Sequence, residues 1–209
     1  MWPAPTGMPR RHRLPADLVR LAGVVSVVIA VVARGPIDAA LFLLVMGGLV
    51  LPPLFRAPVP LDAAYGVGLL VAAWSGSLDL YDAIGWLDLA VHFSATALVA
   101  AVAYLAVSTT GAAVPPQALG TDPVPAGERD GRPLGIVVLT AAIGFGLSVL
   151  WEIGEYLGNT YLDPEIYVGY VDTVGDVTVG GLGSALAGWG LTVWGRRAVR
   201  LAPAAAPSH

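Results

Sequence analysis

The chain contains no cysteine, which excludes disulfides and thiolate metal ligands and leaves the redox compartment open. Lysine is missing as well: all 11 basic residues are arginine. Histidine occurs only as His12, His92 and His209, two of them in terminal tails, so a three-histidine zinc site is excluded. Charged residues make up just 12% of the 209 positions, and a net charge of −4 offers no basic face for nucleic acid. Also lacking are a Gly-rich phosphate loop, a nucleophile elbow and a soluble catalytic domain.

What is present is apolar surface in long runs. With 56% hydrophobic residues and a mean hydropathy of +0.72, the chain reads as a polytopic membrane protein, an all-α bundle of six transmembrane helices. The exclusive use of arginine and the richness in Ala, Val, Gly and Pro suggest a GC-rich bacterial genome, hence a bacterial plasma membrane.

Residues 1–15 form a basic, Pro-rich tail, 16–195 the transmembrane domain, and 196–209 a tail disordered by composition. The first span covers Asp17 to Ala33. Its Leu21–Ala33 stretch resembles a signal-peptide core, but the run lengthens to Asp17 if Arg20 snorkels, which favours an uncleaved span. The second runs from Ile37 to Phe55, ended by Pro52-Pro53. The third, Leu61 to Trp74, is short and crosses only if the bilayer thins or the helix extends towards Leu80. The fourth spans Trp86 to Val107, the fifth Leu134 to Tyr156 and the sixth Val171 to Trp194. Residues 108–133 read as a polar, mobile loop, and Asn159 to Tyr170 as a Tyr-rich connection.

Six spans put both termini on one side. If that side is the cytoplasm, Arg10, Arg11, Arg13, Arg20, Arg56, Arg129, Arg132, Arg196, Arg197 and Arg200 lie inside and only Arg34 outside. Asp38, Asp79, Asp82, Asp163 and Glu165 then fall in outer loops, among aromatic residues such as Trp86, Trp151 and Tyr170.

Against this background six ionisable groups converge on the outer ends of spans four to six. Asp88 and His92 stand at i, i+4 on the fourth, Glu152 and Glu155 at i, i+3 on the fifth, Asp172 and Asp176 at i, i+4 on the sixth. Such groups cost roughly 2.5–3.5 kcal/mol each near a helix centre. Helical rise predicts a deeper tier of His92, Glu152 and Asp176, below Asp88, Glu155 and Asp172. Thr140, Gly144 and Ser148 precede Glu152 at four-residue steps, and Gly180, Ser184 and Gly188 follow Asp176, a pattern that lets helices pack closely. A buried hydrogen-bonded polar network, or exposure to water at the interface, is the competing account of the acids. With no basic residue in the outer half of any span, protons or a metal ion must balance them. Oxygen donors with one imidazole suit Mn, Mg, Ca, Fe(II) or Zn. All six are therefore candidate ligands, with Glu152 or Asp176 as general base.

The motifs Asp88-x3-His92-Phe93, Trp151-Glu152-Ile153-x-Glu155 and Asp172-Thr173-x2-Asp176, in that order, resemble the YjdF-type family of bacterial inner-membrane proteins, similar in layout to VanZ-like proteins. The resemblance covers Trp74 to Trp194 and implies a helical membrane fold without implying an activity. Where that family often closes the His-bearing span with a charged pair, this chain has Ala101-Val102-Ala103. Tyr170-x-Asp172 and Gly175-Asp176 echo intramembrane aspartyl proteases, but those need their aspartates on two facing helices.

Three readings follow, in order of preference. The first is a metal-binding membrane protein, extending to an enzyme acting on a lipid or cell-envelope substrate. The second is a non-catalytic accessory subunit, paired with a second copy or another membrane protein. The third is a small proton- or cation-coupled transporter, for which six spans without an inverted repeat would require a dimer.

Overall fold

The computed structural model describes residues 13–120 and 130–200. It is 84% helical with no strand among the described residues, and six helices are long and apolar enough to cross a membrane. The chain is an all-α polytopic helical bundle. Its first helix, α1 (Leu14–Ile29), exposes Leu18, Leu21, Val24 and Val28 and buries Ala16, Gly23 and Ser26. Large apolar side chains outside and small ones inside is the pattern that lipid selects, since lipid solvates the former and close helix approach needs the latter. The chain divides into two compact units, 1–91 and 92–209, the division falling within the fourth spanning helix.

In the first unit α1 ends in a π-helical turn, Ala30–Arg34, and Gly35 takes a φ of 124° to start α2 (Pro36–Gly48). A short α3 (Leu51–Leu54), the spanning α4 (Val59–Ser77) and a short α5 (Leu80–Ala83) follow. Ala30, Phe42, Val45, Leu49 and Ala73 form the core. Against it the Trp74 ring lies 4.8 Å from Phe42, and Trp74 Nε1 donates to Ser26 Oγ at 3.0 Å. The third span is 19 residues long, so no thinning of the bilayer is required.

The second span is not one continuous helix to Phe55: it breaks at Leu49–Val50, ahead of the proline pair. Pro52 and Pro53 have no N–H to give to the carbonyls of Gly48 and Leu49, four residues back. Arg20 answers one of these, its Nε donating to Leu49 O at 3.3 Å while Nη2 donates to both Asp62 oxygens at 2.7 and 2.9 Å. The guanidinium thus ties α1 to α4 and covers the break in between. Replacing Arg20 by Met should cost about 1.5–3 kcal/mol, because a charged hydrogen-bond partner is removed from Asp62 and the Leu49 carbonyl together. Thermal melts in detergent check this. Equal melting of Arg20→Met and wild type would show the pair to be idle.

The second unit contains most of α6 (Leu87–Thr109), a 3-10 turn (Pro116–Gly120), α7 (Arg132–Tyr161) and α8 (Tyr170–Arg200). Part of the expected mobile loop is docked. Tyr104 donates to Val114 O at 2.7 Å, Arg132 Nη1 donates to Ala118 O at 3.2 Å, and Pro116 packs so closely on α8 that a Cβ on Gly195 would strike its carbonyl. Residues 121–129 lie outside the described residues. Asp130 accepts from Arg132 Nε at 2.8 Å, and that hydrogen bond holds its carboxyl below the usual carboxylate range.

Two boundaries differ from the sequence reading. The fifth helix continues to Tyr161, since nothing between 156 and 161 breaks it and the first proline beyond is Pro164. Residues 196–200, assigned by composition to a disordered tail, continue α8; 201–209 lie outside the described residues, as do 1–12. The connection after α7 is pinned by Asn159 Nδ2, which donates to Pro164 O at 3.2 Å and Ile166 O at 2.7 Å.

Candidate metal centre

Three helices of the second unit run in register, and their layers can be followed in four-residue steps. His92, Glu152 and Asp176 occupy one layer, Thr96, Ser148 and Gly180 the next, and Ala100, Gly144 and Ser184 the one below. Each step is about 6 Å of helix. The crossings are tight: a Cβ on Gly180 would lie 2.9 Å from Ser148 Oγ and 3.2 Å from Thr96 Oγ1, and one on Gly144 would strike Ser184 and come within 2.9 Å of Ala100. On α6, Phe93 meets α8 so closely that a Cβ on Gly183 would hit its carbonyl oxygen. Glycine is needed there because the obstructing atom belongs to backbone.

This packing holds the ionisable layer in place. Exposure is 9% at His92, 8% at Glu152 and 1% at Asp176, whereas Asp88, Glu155 and Asp172, a turn nearer the helix ends, are half-buried. His92 Nδ1 lies 4.0 Å from Glu152 Oε1, and His92 Nε2 lies 4.0 Å from Asp176 Oδ2. The imidazole thus stands between α7 and α8 with each nitrogen turned to a different buried carboxylate. Beneath them the Ser148 hydroxyl is 2% exposed and has no hydrogen-bond partner among the described residues.

His92, Glu152 and Glu155 offer donor atoms that all lie within 4.8 Å of one another, a group able to hold a metal ion. Asp88 stands a turn before His92 on the same helix, in the last turn of the first unit. Asp172, a turn from Asp176, does not belong to this three-donor group. Charge is the constraint on all of them. No arginine or lysine occurs between 57 and 128 or between 133 and 195, so the spanning parts of α6, α7 and α8 bring no guanidinium or ammonium group to the buried carboxylates.

Sequence reasoning overlooked Thr96 and Ala100, which continue the His92 face at the same four-residue step and were legible by that rule. It also missed Val168, which the pinned connection places in a crevice between α7 and α8 that Glu152 also lines; no local signal marks that position.

The model of the family DUF2238, described as a predicted membrane protein, matches residues 17–197. The chain belongs to this family. The matched region takes in all six spans and all six ionisable groups, and membership is consistent with the YjdF-type resemblance of the three motifs. DUF2238 membership makes this a multi-pass membrane protein and brings no activity with it. No curated protein and no solved structure matches the chain.

Proposed function

We propose that the cluster is a divalent-metal centre acting on a lipid or cell-envelope substrate at the outer leaflet of a bacterial plasma membrane. The observation that carries this reading is the imidazole of His92 set 4.0 Å from each of two buried carboxylates on two other helices. That separation exceeds hydrogen-bond length, yet two ligands bound at about 2.0–2.2 Å to one ion can stand up to about 4 Å apart. The buried Ser148 hydroxyl one turn below, with no hydrogen-bond partner among the described residues, supports it further.

One ion takes one imidazole nitrogen. We assign His92 Nδ1, Glu152 and Glu155 as its ligands, with the Asp176 carboxylate 4.0 Å behind the ring, where its negative charge favours the tautomer that carries the proton on Nε2. This division follows exposure, since Glu155 is half-buried and reachable whereas Asp176 is sealed. Asp88 and Asp172 supply negative charge a turn nearer the surface. Two carboxylates and one imidazole suit Mn, Mg, Fe(II) or Zn and leave positions open, where an ion polarises water or a substrate oxygen.

Metal analysis of detergent-purified protein tests the reading. Wild type should carry a stoichiometric divalent ion, and His92→Ala and Glu152→Gln should lose it while keeping wild-type helical content. A metal-free wild type from metal-supplemented cells would overturn it.

The arginine distribution supports cytoplasmic termini, which brings the cluster to the outer leaflet. Reporter fusions after Val107 and after Trp194 should be active in the cytoplasm, and one near Leu162 outside. Cytoplasmic activity at Leu162 would move the centre to the inner leaflet.

A further inference from the structure

Two crevices lie one above the other along the seam between α7 and α8. The upper, about 310 Å³, is walled by Val149, Ile153, Tyr156, Val168, Thr173 and Val177, with Glu152 as the one acid of its lining. The lower, about 410 Å³, is lined by Ala141, Ala142, Phe145, Gly181 and Leu182 together with Thr178. On α7 the positions 145, 149 and 153 recur at four-residue steps, as do 173, 177 and 181 on α8, so both crevices open on the same side. From Tyr156 to Ala141 the seam is roughly 22 Å long at 1.5 Å per residue. Its walls are apolar and open: Ile153 is 49% exposed and Phe145 51%.

An apolar slot on the membrane-facing side of two spanning helices, ending at a buried carboxylate of a ligand group, fits one kind of occupant. We propose that this seam admits a phospholipid laterally from the bilayer, its acyl chain along the α7–α8 groove and its phosphate at the ion held by His92, Glu152 and Glu155. The proposal rests on the metal reading above. Charge fixes the dependence: Glu152 repels a phosphate, and no lysine or arginine lines either crevice to attract one. Phosphate is held there only through a divalent ion shared with the carboxylates. Capture of the headgroup therefore requires metal, and so does lasting residence of the chain in the seam, which the anchored headgroup prolongs.

The test uses full-length protein in nanodiscs with a trace of phosphatidylglycerol carrying a photoactivatable acyl chain, in the presence of Mn²⁺ or of chelator. Cross-links should concentrate on peptides containing Ile153 and Val177 when Mn²⁺ is present and decline on chelation. Val177→Trp should lower capture roughly tenfold, the loss expected for displacing about two methylenes from the groove. Ile153→Trp fills the opposite wall and guards against misfolding of the first variant, and Leu150→Trp, 62% exposed and outside the seam, should behave as wild type. Both seam variants should keep their bound Mn²⁺. If Mn²⁺ binds but cross-linking is independent of metal and of both plugs, the seam holds annular lipid only and this proposal fails while the metal centre stands. If Mn²⁺ does not bind at all, the metal reading fails and the lipid proposal with it.

Discussion

Chelation should lower the melting temperature of the wild-type protein at constant pH, and Asp176→Asn should remove most of that sensitivity. A ligand bound only by the folded state stabilises it by RT ln(1 + [L]/Kd), about 2.7 kcal/mol at a hundredfold excess over Kd. Asp176, 1% exposed and 4.0 Å from His92 Nε2, orients the imidazole in our assignment. Its amide should weaken metal affinity by about 10–100-fold, the usual cost of losing a carboxylate behind a metal-bound histidine. Protons are the rival way to neutralise the cluster, and they give the opposite pattern. Stability then rises as pH falls, because the folded state binds more protons than the unfolded chain, and chelators do nothing. In that case Asp176→Asn, which mimics a protonated carboxyl, would leave the protein as stable as wild type or more so at neutral pH. Melts of both proteins at two pH values, with and without chelator, separate the two. Indifference of both proteins to both variables would sink metal and protons alike and leave the accessory-subunit reading.

The second large effect is expected at Gly183, where one added methyl should separate α6 from α8. The atom it would strike is the Phe93 carbonyl oxygen, on the residue next to His92. A flexible side chain can turn aside, but backbone can yield only by moving its helix. Overpacking of this kind costs about 1–3 kcal/mol and occasionally more. Because the displaced backbone carries His92, Gly183→Ala should lose bound metal along with stability. Gly146, with nothing within 4 Å of a built Cβ, is the control. Gly146→Ala should be neutral or stabilising by up to about 1 kcal/mol, since alanine loses less backbone freedom in a helix. Equal melting of Gly183→Ala and wild type would mean that the helices do not cross as closely as described.

Class, span number and the layering of the ionisable groups were open to sequence reasoning because each depends on one helix at a time. Twenty or so apolar residues cross a bilayer whatever their neighbours do. A four-residue step stays on one helical face, so His92, Glu152 and Asp176 could be assigned to the deeper layer from spacing alone, and Thr96 could have been added by the same rule. Local rules became weaker where secondary structure was interrupted or continued beyond its signals. The proline pair marked the end of the second span but not the break at Leu49–Val50 in front of it, and composition made residues 196–200 a tail although they continue α8.

Only the tertiary structure decided which groups meet. That Arg20 covers the carbonyl of Leu49, 29 residues away, depends on how α1 lies against a broken helix. That Pro116 packs on Gly195 depends on a connection whose composition reads as solvent-exposed. At the centre itself, spacing named six candidate ligands in two tiers without saying which of them share an ion. The crossing of α6, α7 and α8 turned Nδ1 of His92 towards Glu152 and Nε2 towards Asp176, left Asp172 outside the three-donor group, and placed Val168 in the crevice that Glu152 lines. Periodicity gives the face a side chain occupies on its own helix. Which partner that face meets, and through which atom, is set by the rotation and approach of neighbouring helices, and those follow from the contacts at Gly144, Gly180 and Gly183 taken together.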